Sequence, residues 1–222
     1  MFRSARRAVV YPQAEHAVFA GMIALAWGNE HFPLPPLPID SFVRGVALHD
    51  RGYGELDVDE IGSVAGSRWV DTQRAGFGNH DSNPVVDLVA SMHVCRLVSN
   101  AAETEAKSAH AEMTAELRRL CERAGVDESA AAAADAITDL CDRIAFDVCR
   151  EEPGEGSVAI GTEIVRYRFD GLETVQVTPW PFACEALNLL LSGYRADAYP
   201  DRLQRLVEPI RFEAGSRNAR AG

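Results

Sequence analysis

The sequence predicts a mostly helical protein carrying a small antiparallel sheet at its C-terminal end, an α+β arrangement. Between Gln13 and Arg150, five stretches repeat apolar residues at steps of three or four, the period of a helix with one buried face. After Pro153, β-branched and aromatic residues gather into short runs joined by a hairpin signal. With 222 residues, 47% of them hydrophobic, the chain is long enough to bury a full core. The expected division is a helical domain over residues 1–152 and a small β-rich subdomain over residues 153–222, packed on it.

Val9-Val10-Tyr11 reads as a short strand. From Gln13 to Trp27, His16, Phe19, Ile23 and Trp27 share one helical face. Prolines 33, 35, 36 and 38 make a stiff connection, and a second helix follows with Phe42, Val46 and His49 on one side and Asp40 or Ser41 as its N-cap. Gly52 and Gly54 end it, and Glu55 to Asn83 reads as a long loop of the kind that often carries function. Pro84 fits the first turn of a third helix, which turns Val86, Val89, His93 and Leu97 inward. Two more helices span roughly Glu103 to Ala124 and Glu128 to Arg150, the second with Leu140, Ile144 and Asp147 on one side. Strands are expected at Val158 to Phe169 and Leu172 to Thr178, joined by Asp170-Gly171, then at Leu187 to Tyr194 and Ile210 to Glu213.

Composition removes several classes of function. A formal net charge of −11 without a basic stripe argues against a nucleic-acid partner, because phosphate backbones are bound by clustered cations. No apolar run approaches the ~20 residues that cross a bilayer. Arg3, Arg6 and Arg7 near the start are followed by no long apolar segment, so neither membrane nor export is expected and the reading is cytoplasmic. Five cysteines, an odd number without a CxxC pair, suit reduced thiols rather than a disulfide framework.

Chemistry concentrates in an ordered set: His16, the doublet His49-Asp50, His93 and Asp147, each in a predicted helix with its polar group on the apolar side. Imidazole nitrogens and carboxylate oxygens together suit borderline divalent ions. In the simplest site His16, His49, Asp50 and Asp147 hold one ion, leaving open positions for water and a substrate oxygen. His93 then acts as a general acid or base, or binds a second ion bridged by Asp50, with His80 in the loop as a further ligand for that ion. Taken singly, each of these residues is as well explained by hydrogen bonding in the core or by ion pairing, Asp147 with Arg96 for example. Their joint occurrence favours the metal.

At these residues the chain resembles the HD superfamily of metal-dependent phosphohydrolases, whose pattern is a histidine, a His-Asp doublet and a distant aspartate on a helical bundle. It is similar more closely to the family known as domain of unknown function 3891. The matching stretches are Gln13-Ala14-Glu15-His16-Ala17, Ala47-Leu48-His49-Asp50-Arg51-Gly52-Tyr53, Ser91-Met92-His93 and Pro179-Trp180-Pro181-Phe182. The resemblance implies an HD-like helical bundle with His16, His49, Asp50 and Asp147 as ligands, and His93 as a further ligand or catalytic group.

The expected function is therefore a metal-dependent hydrolase of a small phosphorylated compound such as a nucleotide, with Asp50 and His93 at the chemistry. One or two divalent ions per chain, from manganese, iron, cobalt, nickel, zinc or magnesium, are the expected cofactor. Arg51 and Arg96 are candidates for holding phosphate oxygens. An HD-type di-iron oxygenase using His80 and His93 is the second expectation. The third is a non-catalytic helical protein that binds a ligand or partner, with Trp180 at the contact.

Overall fold

The computed structural model describes residues 1–64, 66–101 and 104–215. Strands β1 (Phe2–Arg3) and β2 (Val9–Tyr11) precede helices α1 (Gln13–Leu25) and α2 (Ile39–Ala47), a 3-10 turn (Arg51–Tyr53), and helices α3 (Gly66–Gly76), α4 (Pro84–Ser99), α5 (Thr104–Ala124) and α6 (Glu128–Arg150). Strands β3 (Gly154–Ile160), β4 (Glu163–Phe169), β5 (Thr174–Thr178), β6 (Leu187–Arg195) and β7 (Arg205–Ala214) follow. No described helix is long and apolar enough to cross a membrane.

The sheet overturns the expected small antiparallel C-terminal one. It has seven strands in the order β1-β2-β6-β7-β5-β4-β3, and β5 runs parallel to β7. Its first two strands come from the N-terminus, where β2 pairs with β6 through Val9 with Arg195 and Val10 with Tyr194. The strand expected at Val9-Val10-Tyr11 is β2, but its place in the sheet is set by a partner at the far end of the chain, and two-residue β1 is too short to show an alternating pattern. The main core runs from Phe2 through Phe19, Phe42, Leu88 and Ile144 to Phe212, shared by the helices and the sheet.

Local signals explain most helix limits. Asn83 caps α4, its side chain accepting from the Val85 N–H at 3.0 Å, and Pro84 occupies the first turn. Asp127 caps α6 through the Ala130 N–H. Neither Asp40 nor Ser41 caps α2; Pro38 precedes it with no side-chain cap, and Asp40 and Ser41 lie within the first turn. The stretch expected to be a loop, Glu55 to Asn83, contains α3, whose weak apolar face buries Val70 and Gln73. The run from Val158 to Phe169 folds into two strands, because Gly161 at φ +61° supplies the turn between β3 and β4.

Two close crossings set the positions of the site-bearing helices. A Cβ on Gly21 of α1 would stand 2.7 Å from the Ala47 Cβ of α2, and one on Gly45 of α2 would stand 2.5 Å from the Val89 Cβ of α4. With no side chain at these points α1, α2 and α4 approach closely, bringing His16, the turn after α2, and His93 into one volume. The sheet supports α1 through Phe19 against Phe212, with ring centroids 6.4 Å apart. The Pro179-Trp180-Pro181-Phe182 stretch tucks under the end of α1: the Gly28 N–H donates to the Pro181 carbonyl and Trp27 packs edge-on against Phe182. Trp180, considered above as a partner contact, donates its indole N–H to the Cys184 carbonyl and packs on Phe182.

Gly45→Ala should cost about 1–3 kcal/mol by overpacking the α2–α4 crossing. Urea denaturation of the variant checks this, and a loss under ~0.5 kcal/mol would show that the crossing has room to relax.

Candidate metal centre

His16 comes from the first turns of α1, His49 and Asp50 from the turn that closes α2, His93 from the middle of α4 and Asp142 from α6. His16, His49 and His93 are buried, Asp50 nearly so, and the Asp142 side chain keeps 15% exposure toward a cavity. Five polar groups in one buried volume require mutual compensation, since an unpaired buried charge costs several kcal/mol.

The distances describe a shared focus. His16 Nε2 and His49 Nε2 lie 3.2 Å apart. Asp142 Oδ1 is 3.0 Å from the first and 3.4 Å from the second, while Asp50 Oδ2 is 3.6 Å and 3.3 Å from them. Ligands bound at ~2.0–2.2 Å stand about 3.0 Å apart at octahedral edges and about 3.4 Å at tetrahedral ones, so these spacings match the edges of a coordination polyhedron. The His49 Nδ1–H donates to the Val46 carbonyl at 2.7 Å, which leaves the lone pair of a neutral His49 on Nε2, facing the focus. Two nitrogens and two carboxylate oxygens from three elements of the chain thus fit a divalent ion by donor type and spacing.

Asp142 takes the place expected for Asp147. The two are five residues apart on α6, a rotation of about 140° around the axis, so only one can face the histidines. Asp147 points to the sheet, where Tyr167 Oη donates to its Oδ2 at 2.7 Å and Gly154 leaves room for it. A signal for Asp142 was present: Asp135, Asp139 and Asp142 form an i, i+4, i+7 stripe on α6 opposite His93 and Arg96, which are one turn apart on α4. His80 is exposed, its ring nitrogen 3.1 Å from the Phe77 carbonyl, and it belongs to neither of the His/Asp groups able to hold an ion. His93 is inside: Nε2 lies 3.5 Å from Asp50 Oδ1, and Nδ1 lies 3.5 Å from Asp142 Oδ2. His31 is exposed and His110 lies between α4 and α5, away from the cluster.

Neither expected arginine clamp faces the cavity. Arg51 donates to the Gly76 and Gly78 carbonyls and to buried Asp87, fixing the turn after the His-Asp doublet to the end of α3 and the start of α4. Gly52 permits this, because a Cβ there would meet the Thr72 carbonyl oxygen at 2.2 Å. Arg96 is spent on Asp135, Asp139 and His93 Nδ1. A cavity of about 300 Å³ opens from His16, Asp50, His93 and Asp142, roofed by Tyr53, Trp69 and Phe146.

The electrostatics follow from this packing. Burial alone would raise the carboxyls of Asp50 and Asp142, but the adjoining imidazoles outweigh it and hold both far below the ordinary carboxylate range. Burial works against a charged His49, yet Asp50 and Asp142 prevail and push it up to about 10. His93 is lowered by burial and then by His49.

With this geometry in place, comparison of the chain with known proteins gives a match over residues 2–67 and 68–195 to the family described as protein of unknown function (DUF3891). The chain belongs to that family. No curated protein and no solved structure matches it. In this DUF3891 chain the matched range holds all five residues of the cluster.

Asp50→Ala and Asp142→Ala should each weaken binding of a divalent ion by more than the ~10–100-fold typical of outer-shell partners, whereas Asp147→Ala should leave it unchanged. Elemental analysis and metal titration of tag-free protein check this, and loss in the Asp147 variant with retention in the Asp142 variant would reverse the assignment. Coordination also needs neutral His49, which carries its proton below pH about 10 in the metal-free chain. Each ion bound near pH 8 should therefore release about one proton, and affinity should rise roughly tenfold per pH unit toward 10. Calorimetry in buffers of different ionisation heat measures this, and binding without proton release would exclude His49 as a ligand.

Proposed function

We propose that this protein is a metal-dependent hydrolase of HD type, acting on a phosphate ester of a small compound. The observation that carries the reading is the convergence of His16, His49, Asp50 and Asp142 from three separate elements at coordination spacing beside an open cavity. A histidine, a His-Asp doublet and a distant aspartate recur in chain order, with Asp142 as the distant member. His16 and His49 would hold the ion through Nε2, and Asp50 and Asp142 through one carboxylate oxygen each. A bound divalent ion supplies Lewis acidity, lowering the pKa of a water and offsetting charge that develops on phosphoryl oxygens.

The chain's own groups perform the remaining tasks. Asp50 Oδ1, turned away from His16 and His49, is the acceptor available to a proton on the cavity side. The second oxygen of Asp142 lies on the side of His93. Tyr53, Trp69 and Phe146 cover the cavity and exclude water from one side of a bound compound. No lysine or arginine lines the cavity among the described residues, which favours a single phosphate over a polyphosphate chain. The di-iron alternative needed His80 and His93 together, and the exposed position of His80 weighs against it.

Manganese-loaded protein tested on p-nitrophenyl phosphate, small sugar and alcohol phosphates, and nucleotides should turn over at least one monophosphate. Asp142→Asn should lower kcat/KM by ~10²-fold or more, with Asp147→Asn within about threefold of wild type. Stable folding with no ion bound and no turnover would move the assignment to a ligand-binding protein.

A further inference from the structure

His93 and His49 are held in opposite ways. His49 donates from Nδ1 to a carbonyl, so its Nε2 offers a lone pair to the focus whenever the ring is neutral. His93 instead has Arg96 Nη2 at 3.0 Å from its Nδ1. A guanidinium has only donors and does not deprotonate in proteins. Nδ1 of His93 must therefore be the accepting, unprotonated nitrogen, and its single proton sits on Nε2. That Nε2 is buried without a hydrogen-bond partner, and His93 lines the cavity.

Arg96 is not free to leave. It is largely buried and anchored by Asp135 at Nη1 and by Asp139 at Nε, 3.1 Å away, both on α6, and Asp142 Oδ2 lies 3.8 Å from its Nη2. Three carboxylates of one acidic stripe thus fix a guanidinium whose remaining N–H group determines the tautomer of the histidine next to the proposed ion. The arrangement separates two roles that the residue type alone does not distinguish. A ligand must present a lone pair from Nε2, and this histidine presents N–H.

We propose that His93 is a hydrogen-bond donor to a substrate oxygen rather than a metal ligand, and that Arg96 is the positioning residue that makes it so. The proposal rests on the metal-site reading above and assigns a task within it. The centre then holds one ion per chain. The Nε2–H of His93 lies on the Oδ1 side of Asp50, opposite the oxygen turned to His16 and His49, and reaches an acceptor on a compound bound beside the ion. A phosphoryl or alcohol oxygen fits this position, and an ammonium group does not.

The test uses the full chain with zinc, a diamagnetic ion, and reads both metal content and the nitrogen-15 signals of the histidine rings. The expected result is one zinc per chain in wild type, retained within about threefold in affinity by His93→Gln, with the His93 proton on Nε2. Arg96→Met should shift the His93 ring signals toward the other tautomer, which a purely structural role for Arg96 would not do, and Arg96→Lys should restore part of the wild-type pattern. Two zinc ions in wild type, loss of zinc by more than about thirtyfold in His93→Gln, or an unprotonated Nε2 in the zinc-loaded protein would overturn the proposal. If wild type binds no zinc, the metal reading falls, and the ring signals of the metal-free chain still decide between the two tautomers of His93.

Discussion

Asp50 and Asp142 are carboxylates removed from bulk water inside a helical layer, and the rest of the architecture is arranged around making that tolerable. A buried carboxylate left alone would take up a proton. Here each carboxylate lies within 3.6 Å of three imidazoles, which requires four segments of chain to meet at one point. Side-chain bulk would keep the helix axes apart, so the crossings are made at Gly21 with Ala47 and at Gly45 with Val89. The sheet completes the support by holding α1 and α6 from behind, through Phe19 on Phe212 and the Tyr167–Asp147 hydrogen bond.

The two arginines beside the cluster serve this arrangement and leave the cavity wall without a lysine or arginine among the described residues. Arg51 neutralises fully buried Asp87 and ties together the turn, α3 and α4. Arg96 binds α4 to the acidic stripe of α6. Asp59 and Glu60 also line the cavity and add negative charge to its wall. The described cysteines stand apart from this chemistry: all are free, and burial pushes the thiols of Cys141 and Cys149 well up, which makes them poor nucleophiles.

Helix α3 shows how a segment without a strong pattern can matter. Its mean composition is polar, and it is held less by its own apolar face than by the backbone contact of Gly52 with Thr72 and Gly76 and by the Gln73 to Tyr53 hydrogen bond at 3.1 Å. It brings Trp69 over the cavity. What reads as a loop in the sequence is a roof, because its stability comes from contacts with residues twenty positions away.

His16, His49, Asp50 and His93 were legible in the sequence because each is a polar residue placed on an apolar period, a local property that survives without knowledge of the fold. The start of α4 was legible through Pro84, which fits a first turn, and the extent of α6 through its apolar period. Asp142 was legible only as one member of the acidic stripe Asp135, Asp139 and Asp142, because the inward side of α6 is defined by what it faces, and Leu140, Ile144 and Asp147 point to a core and a sheet rather than to the histidines. Strand β1, the pairing of β2 with β6 and the parallel pairing of β5 with β7 also depend on partners distant in the chain, beyond the reach of periodicity. The direction in which Arg96 donates, and with it the tautomer of His93, is a relation between side chains of two helices. The sequence by itself determined which groups are available for chemistry, since side-chain type and helical phase are local; only the tertiary structure decided which of two aspartates meets them and which nitrogen of His93 carries the proton, since both depend on distances between elements.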